Sequence, residues 1–323
     1  MRKFIHNVTI FGIILLLMNV AIEFLLFLRP NEYSYKRAYV EEHFNDISCL
    51  LLGNSHIDRA LNPEILGEGV FNMAIAGKWP IYDAELAKKY VPQMNQLKVL
   101  VMPLDYPRFY FGREKDNPNV MRDKSSLRRQ GIYSQSTYKC MYYKYMGIRV
   151  DGFWYWSEML NSELDYMKRF KKNDEKARGC DSLGYVVNKN SLKRKENWEN
   201  WGLPKIVDTT IEANQEEQEL LYTNYCTLAE LAKNQGAKLV LLFTPHYKTY
   251  NDATNPVVLQ EMVSFVDSLK QKYPNVEYYD YSKDKRFVDE DFSNANHLTY
   301  IGATKFSYII RQEILDKLNA MPN

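Results

Sequence analysis

The chain reads as an α/β protein built on a mainly parallel, five-stranded sheet, and three observations carry that reading. Short, mostly apolar runs recur at 47–52, 70–74, 98–104, 237–243 and 276–279, as strands covered by helices require. Longer segments with apolar residues at helical spacing lie between them. The composition, 46% hydrophobic and 25% charged over 323 residues, can bury a core in one or two domains and excludes a disordered or fibrous chain. Strands alternating with helices favour right-handed crossovers and helices layered on the sheet.

Along the chain, the first feature is the apolar stretch 8–28, broken by Thr9, Asn19 and Glu23. As a helix it would extend about 31 Å, roughly a bilayer core, which predicts a transmembrane anchor. Arg2 and Lys3 precede it in the order of a signal sequence, yet no small-x-small cleavage site follows, so the anchor is expected to remain. Arg29, Lys36 and Arg37 compete with the N-terminal charges; the free amine still favours a cytoplasmic tail over 1–7 and the bulk of the chain outside the cytoplasm. Glu23 would be costly in lipid unless paired or snorkelled, and a buried or interfacial helix is the alternative. Residues 29–46 read as a polar linker.

The first strand, 47–52, ends in Gly53-Asn54-Ser55-His56. A serine directly after a strand and a glycine turn stands at the carboxyl edge of the sheet, where α/β proteins place ligands. A helix starting there would aim backbone N–H groups and its positive end at the hydroxyl. Serine is also a favoured N-cap, so this run taken alone has two readings. Strands at 70–74 and 98–104 follow.

The segment 108–205 interrupts the rhythm. It holds 21 of the 42 basic residues and 12 of the 40 acidic ones, which gives +9 there and −7 elsewhere. Four of the five tryptophans, Trp154, Trp156, Trp198 and Trp201, lie in it, with Tyr142, Tyr143, Tyr145 and Tyr155. Such a basic, aromatic insertion suits stacking on sugar rings or contact with anionic polymer or lipid; a helical cap with core aromatics and solvated charges is the plainer alternative. Single-stranded nucleic acid could use the same residues, but the anchor and a net charge of only +2 argue against a nucleic-acid partner.

The clearest helix is 212–234, with Leu220, Leu221, Tyr225, Leu228 and Leu231 on one stripe and Gly236 as its stop. The strand 237–243 ends in Thr244-Pro245-His246, where His246 is a candidate for substrate binding or a second base, or else a loop histidine bonded to backbone. A helix over 258–272 and a strand at 276–279 lead to the loop Asp291-Phe292-Ser293-Asn294-Ala295-Asn296-His297-Leu298-Thr299 and a helix over 300–318. His297 supplies what Ser55 lacks, since a serine hydroxyl needs a base and a neutral imidazole suits that task.

Together these blocks resemble the SGNH, or GDSL-type, hydrolase family. Gly53-Asn54-Ser55-His56 is similar to its first block, in the form found in membrane-anchored members acting on envelope polymers. Phe71-Asn72-Met73-Ala74 through Gly77 is similar to the second, and Asn294-Ala295-Asn296-His297-Leu298 with Gly302, Ala303 and Phe306 to the last. The resemblance implies a flavodoxin-like, three-layer α/β/α domain over 47–323. It also implies serine-dependent O-acyl ester hydrolysis or acyl transfer on an envelope glycan: Ser55 as nucleophile, His297 as base, Asn294 orienting His297, and the N–H groups of Ser55 and Gly77 as the oxyanion hole. A multi-spanning membrane acyltransferase is the implied partner.

Two departures stand out. Asn294 occupies the position of the family's aspartate, so Asp291 or Asp289 is an alternative partner for His297. A catalytically inactive glycan-binding or assembly protein is the alternative function. The family's Gly-x-Asn-Asp block has only Leu104-Asp105-Tyr106 as a counterpart, and an ionised Asp105 would repel an oxyanion. No metal or other cofactor is expected, because zinc-ligand, EF-hand and Walker patterns are missing and Gly67-Glu68-Gly69 is a turn. The four cysteines, Cys49, Cys140, Cys180 and Cys226, are too scattered to form a disulfide framework.

Overall fold

The computed structural model describes residues 1–27, 32–110, 179–187, 191–210, 212, 213 and 215–320. Contacts divide the chain into two units, Met1–Tyr35 with Leu127–Gly179, and Lys36–Ser126 with Cys180–Asn323.

In the first unit the main described element is helix α1, Arg2–Phe27. Its side chains from Val8 to Met18 present large apolar groups to solvent on every side. The transmembrane helix expected over 8–28 is not found: among the described residues no helix is long and apolar enough to cross a membrane. Leu28 itself lies outside the described residues.

The second unit contains the sheet. Its strands are β1, Cys49–Leu51; β2, Val70–Asn72; β3, Val99–Pro103; β4, Lys238–Phe243; and β5, Val276–Asp280. All neighbours pair in parallel, in the order β2-β1-β3-β4-β5. The three central strands are apolar at almost every position because both faces are covered. Cys49, Leu51, Val99, Val101, Val240 and Leu242 meet Phe306, Ile310 and Ile314 of the C-terminal helices on one face. On the other side, helix α6, Gln215–Asn234, packs on β4 and on helix α5, Pro80–Tyr90, while α8, Pro256–Lys272, packs on β5. Strand order reverses between β1 and β3, which opens a crevice beyond their carboxyl ends. The residues after β1 and β3 are therefore the ones placed to form a site.

The remaining elements refine the expectations. Over the span read as a linker lies helix α2, Glu32–His43. Charge hid it in the sequence: Lys36 and Val40 are buried, and the Tyr39 ring stacks on Phe71 with centroids 4.1 Å apart. The helix after Ser55, α3, is a single turn, Ser55–Asp58, followed by α4, Pro63–Leu66. Helix α7, Lys248–Asp252, follows β4. The last helix is broken into α9, Tyr300–Ile310, a π turn over Arg311–Leu315, and α10, Asp316–Ala320. Most of the basic aromatic insertion, with Trp154, Trp156, Tyr142, Tyr143, Tyr145 and Tyr155, lies outside the described residues. Its two ends are described, including Trp198 and Trp201.

Candidate active site

Ser55 stands one residue beyond the Gly53-Asn54 turn that ends β1. Gly53 takes φ +113°, and an added Cβ would lie 2.2 Å from Pro103 Cδ, so only glycine lets the turn pass β3 this closely. Asn54 caps α3: its Oδ1 accepts the His56 N–H at 3.0 Å. Ser55 itself is partly exposed.

His297 arrives on a small hairpin formed by β6, Phe292–Asn294, and β7, His297–Leu298, in which Asn294 and His297 are direct cross-strand partners. That pairing puts amide and imidazole on one face. The hairpin tip is anchored on both sides, with Ala295 N–H donating to the Trp201 carbonyl and Tyr247 N–H to the Ala295 carbonyl, each at 2.9 Å.

The two loops meet. His297 Nε2 lies 2.9 Å from Ser55 Oγ across 242 residues of sequence, and His297 Nδ1 lies 3.2 Å from Asn294 Oδ1. The proton positions follow from the neighbours. The same Asn294 atom receives the Asn296 backbone N–H at 3.1 Å, an obligate donor, so that atom must be the amide oxygen. Nδ1 of His297 must then donate to it. Nε2 is left as a lone pair, and the Ser55 hydroxyl donates into it. Burial lowers the His297 pKa to about 3, with the His56 and Arg59 charges acting in the same direction and Asp105 opposing them. At neutral pH this imidazole is a free base. Its proton-bound form has an amide dipole beside it where a carboxylate would carry full charge.

The alternative partners are engaged elsewhere. Asp291 is buried and binds the Val288 N–H at 2.8 Å and the Lys305 ammonium; it closes the turn before the hairpin and does not touch His297. Asp289 is exposed and its carboxylate faces Tyr247. His246 is only 5% exposed and its ring stacks on Tyr250 with centroids 4.2 Å apart. Burial, and then the His56 charge, lowers its pKa to about 3.

Sequence reasoning gave His56 no role and left Asp105 a candidate site residue whose charge would repel an oxyanion. The structure joins them. Asp105 Oδ1 accepts from His56 Nδ1 at 2.6 Å and its other oxygen accepts the Asn54 amide, with all three residues buried. Burial alone would raise the Asp105 pKa, but His56, Arg108 and Asn54 more than offset it and hold the carboxyl well below the usual range. The charge Asp105 carries is thus spent on the nucleophile turn. The one available hint was the histidine directly after Ser55.

Gly77 sits in the left-handed region at φ +77°, in a turn closed by Lys78 N–H to the Ile75 carbonyl at 3.1 Å. That segment runs beside the nucleophile turn: Met73 N–H donates to Leu51 and Ile75 N–H to Gly53, at 2.8 and 2.9 Å. Among the described residues, neither the Ser55 nor the Gly77 N–H makes a backbone hydrogen bond of this kind. With α3 only one turn long, any help to an oxyanion comes from individual N–H groups and not from a long helix dipole. No group of three or more His, Cys, Asp or Glu side chains among the described residues is arranged to hold a metal ion.

No family model and no curated protein matches the chain. A solved structure from Streptococcus pneumonia, provisionally described as a platelet activating factor, is 11% identical with a TM-score of 0.41; the match covers 95% of this chain and 98% of that one. A likeness at this level carries no functional argument.

Proposed function

We propose that the protein is a serine-dependent acyl-transfer enzyme of the SGNH type, an O-acyl esterase or acyltransferase acting on a cell-envelope glycan. The observation that carries this reading is the 2.9 Å contact from Ser55 Oγ to a His297 nitrogen whose lone pair is fixed by Asn294. Ser55 Oγ attacks the ester carbonyl carbon while its proton passes to His297 Nε2. The oxyanion is held by the Ser55 and Gly77 N–H groups. Collapse expels the alcohol, which takes the proton from His297, and leaves an acyl-Ser55. Water or a sugar hydroxyl then loses its proton to His297 and attacks the acyl carbon, and Ser55 Oγ leaves as it takes that proton back from His297.

A sugar substrate is favoured by the tryptophan beside the hairpin. Trp201 is 51% exposed, the Lys195 ammonium lies 4.4 Å from its ring centroid, and its carbonyl accepts the N–H of Ala295, the residue after Asn294. An aromatic face with an adjacent cation suits an acidic glycan. The apolar exterior of α1 favours a position at a membrane; we further propose a site outside the cytoplasm and a multi-spanning acyltransferase as acyl donor, a setting that protease accessibility in intact cells tests. The competing reading, a binding module without catalysis, is favoured by Asn294. A fluorophosphonate probe and a chromogenic acetyl ester separate the two. Labelling and turnover that vanish in Ser55→Ala support the enzyme, and a wild-type protein inert to both refutes it.

A further inference from the structure

We infer that two buried lysine–aspartate pairs act as positioning residues that lock the Gly77 segment to the nucleophile turn. The inference rests on the acyl-transfer reading. Lys78 and Asp83 lie 2.7 Å apart, Lys36 and Asp58 3.0 Å apart, and each side chain is at most 1% exposed. Both pairs have the same connectivity. Asp83 Oδ1 also accepts the Gly53 N–H at 2.9 Å, two residues before Ser55, and Lys78 follows Gly77 directly and donates to the Met73 carbonyl at 3.0 Å. Asp58 belongs to α3, the turn that begins with Ser55, and Lys36 donates in addition to the Ala74 carbonyl. Each ammonium therefore links an aspartate of, or bonded to, residues 53–58 with a carbonyl at 73 or 74. Arg108 reinforces the arrangement by donating to the Lys78 carbonyl at 3.1 Å while lying over the Trp79 ring.

Packing alone does not account for these charges. A buried ion pair loses hydration that apolar side chains of equal volume never had, and replacement by such side chains is often neutral or stabilising. What an apolar pair lacks is direction: it cannot fix a backbone N–H and a carbonyl at set distances from one oxygen and one nitrogen. The two N–H groups proposed for the oxyanion, on Ser55 and Gly77, come from separate segments, and a misplacement near 1 Å costs about 10²-fold in rate. The clamps supply that register.

The test is the full-length double variant Asp83→Leu/Lys78→Met, which keeps volume and removes the directed bonds, alongside Asp83→Asn, which keeps an oxygen for the Gly53 N–H. In the double variant kcat on the acetyl ester is expected to fall roughly 10- to 10²-fold with KM nearly unchanged, and Asp83→Asn to retain more of it. Amide exchange over 73–78 should quicken at least tenfold in the double variant while the core of β3 and β4 stays protected. Parental kcat, or parental exchange over 73–78, in a folded double variant overturns the inference. Exchange decides it even if the parent protein proves inert to esters, an outcome that would sink the acyl-transfer reading by itself. Should the double variant not fold, Asp83→Asn/Lys78→Gln, an uncharged pair, is read by the same two measurements.

Discussion

Replacing Asn294 by aspartate restores a carboxylate at the atom that already accepts His297 Nδ1–H at 3.2 Å and Asn296 N–H at 3.1 Å. The substitution is isosteric and both donors stay satisfied, so the change is one of charge. With charge centres about 4 Å apart and an effective dielectric constant near 20, the attraction to an imidazolium is about 4 kcal/mol, or roughly three pKa units. Solvent reaches Asn294 and His297, and screening reduces this to about half. The His297 pKa, about 3 in the native chain, should then rise to about 4.5. The free base persists at neutral pH, while the imidazolium formed during acylation gains about 2 kcal/mol, a factor near 30 in rate. In serine proteases the reverse swap costs roughly 10⁴, which bounds the gain from above. The assay is the rate of fluorophosphonate labelling of Ser55 between pH 3 and 8. Labelling is lost as pH falls through the His297 pKa, so the acid limb of the variant should sit about 1.5 units above the native limb, with a plateau about 30-fold higher. A plateau within threefold of native, with the limb unmoved, would refute the claim that the amide limits this base.

Acid should weaken the fold through His246. Its pKa drops from 6.5 to about 3 on burial, so its contribution is complete above pH 6.5 and is lost as pH falls from there towards 3. At pH 5 the loss is about 2 kcal/mol, and His246→Phe should flatten that part of a denaturant-midpoint profile. Asp105→Ala strands the buried His56 and Asn54 donors; a destabilisation of about 3 kcal/mol in chemical denaturation is expected, with loss of labelling at Ser55. Gly53→Ala, which drives a Cβ to within 2.2 Å of Pro103, should cost at least about 2 kcal/mol and abolish turnover, measured as a lowered melting temperature and a silent ester assay.

Tyr225→Phe probes the sheet apart from the site. It removes the 2.7 Å bond from the phenol to the Pro103 carbonyl and should lower stability by about 1–2 kcal/mol in denaturant unfolding, with catalysis retained.

The strands of the sheet were legible in the amino-acid sequence as short, mostly apolar runs, most clearly in β4, where Leu239 to Phe243 needs no distant partner to show it. Helix α2 was not legible, since its helical character depends on a lysine that becomes buried only when Asp58 is beside it. For the same reason the site divided into two kinds of information. That Ser55 follows a strand and that Asn294 and His297 share a loop are local facts, written in neighbouring residues. That the serine and the imidazole share a proton, that Asp105 turns to His56, and that His246 is sealed under Tyr250 depended on the strand order 2-1-3-4-5. Local periodicity constrains backbone angles over a few residues, whereas contacts 49 or 242 residues apart arise only when the whole sheet has chosen its neighbours.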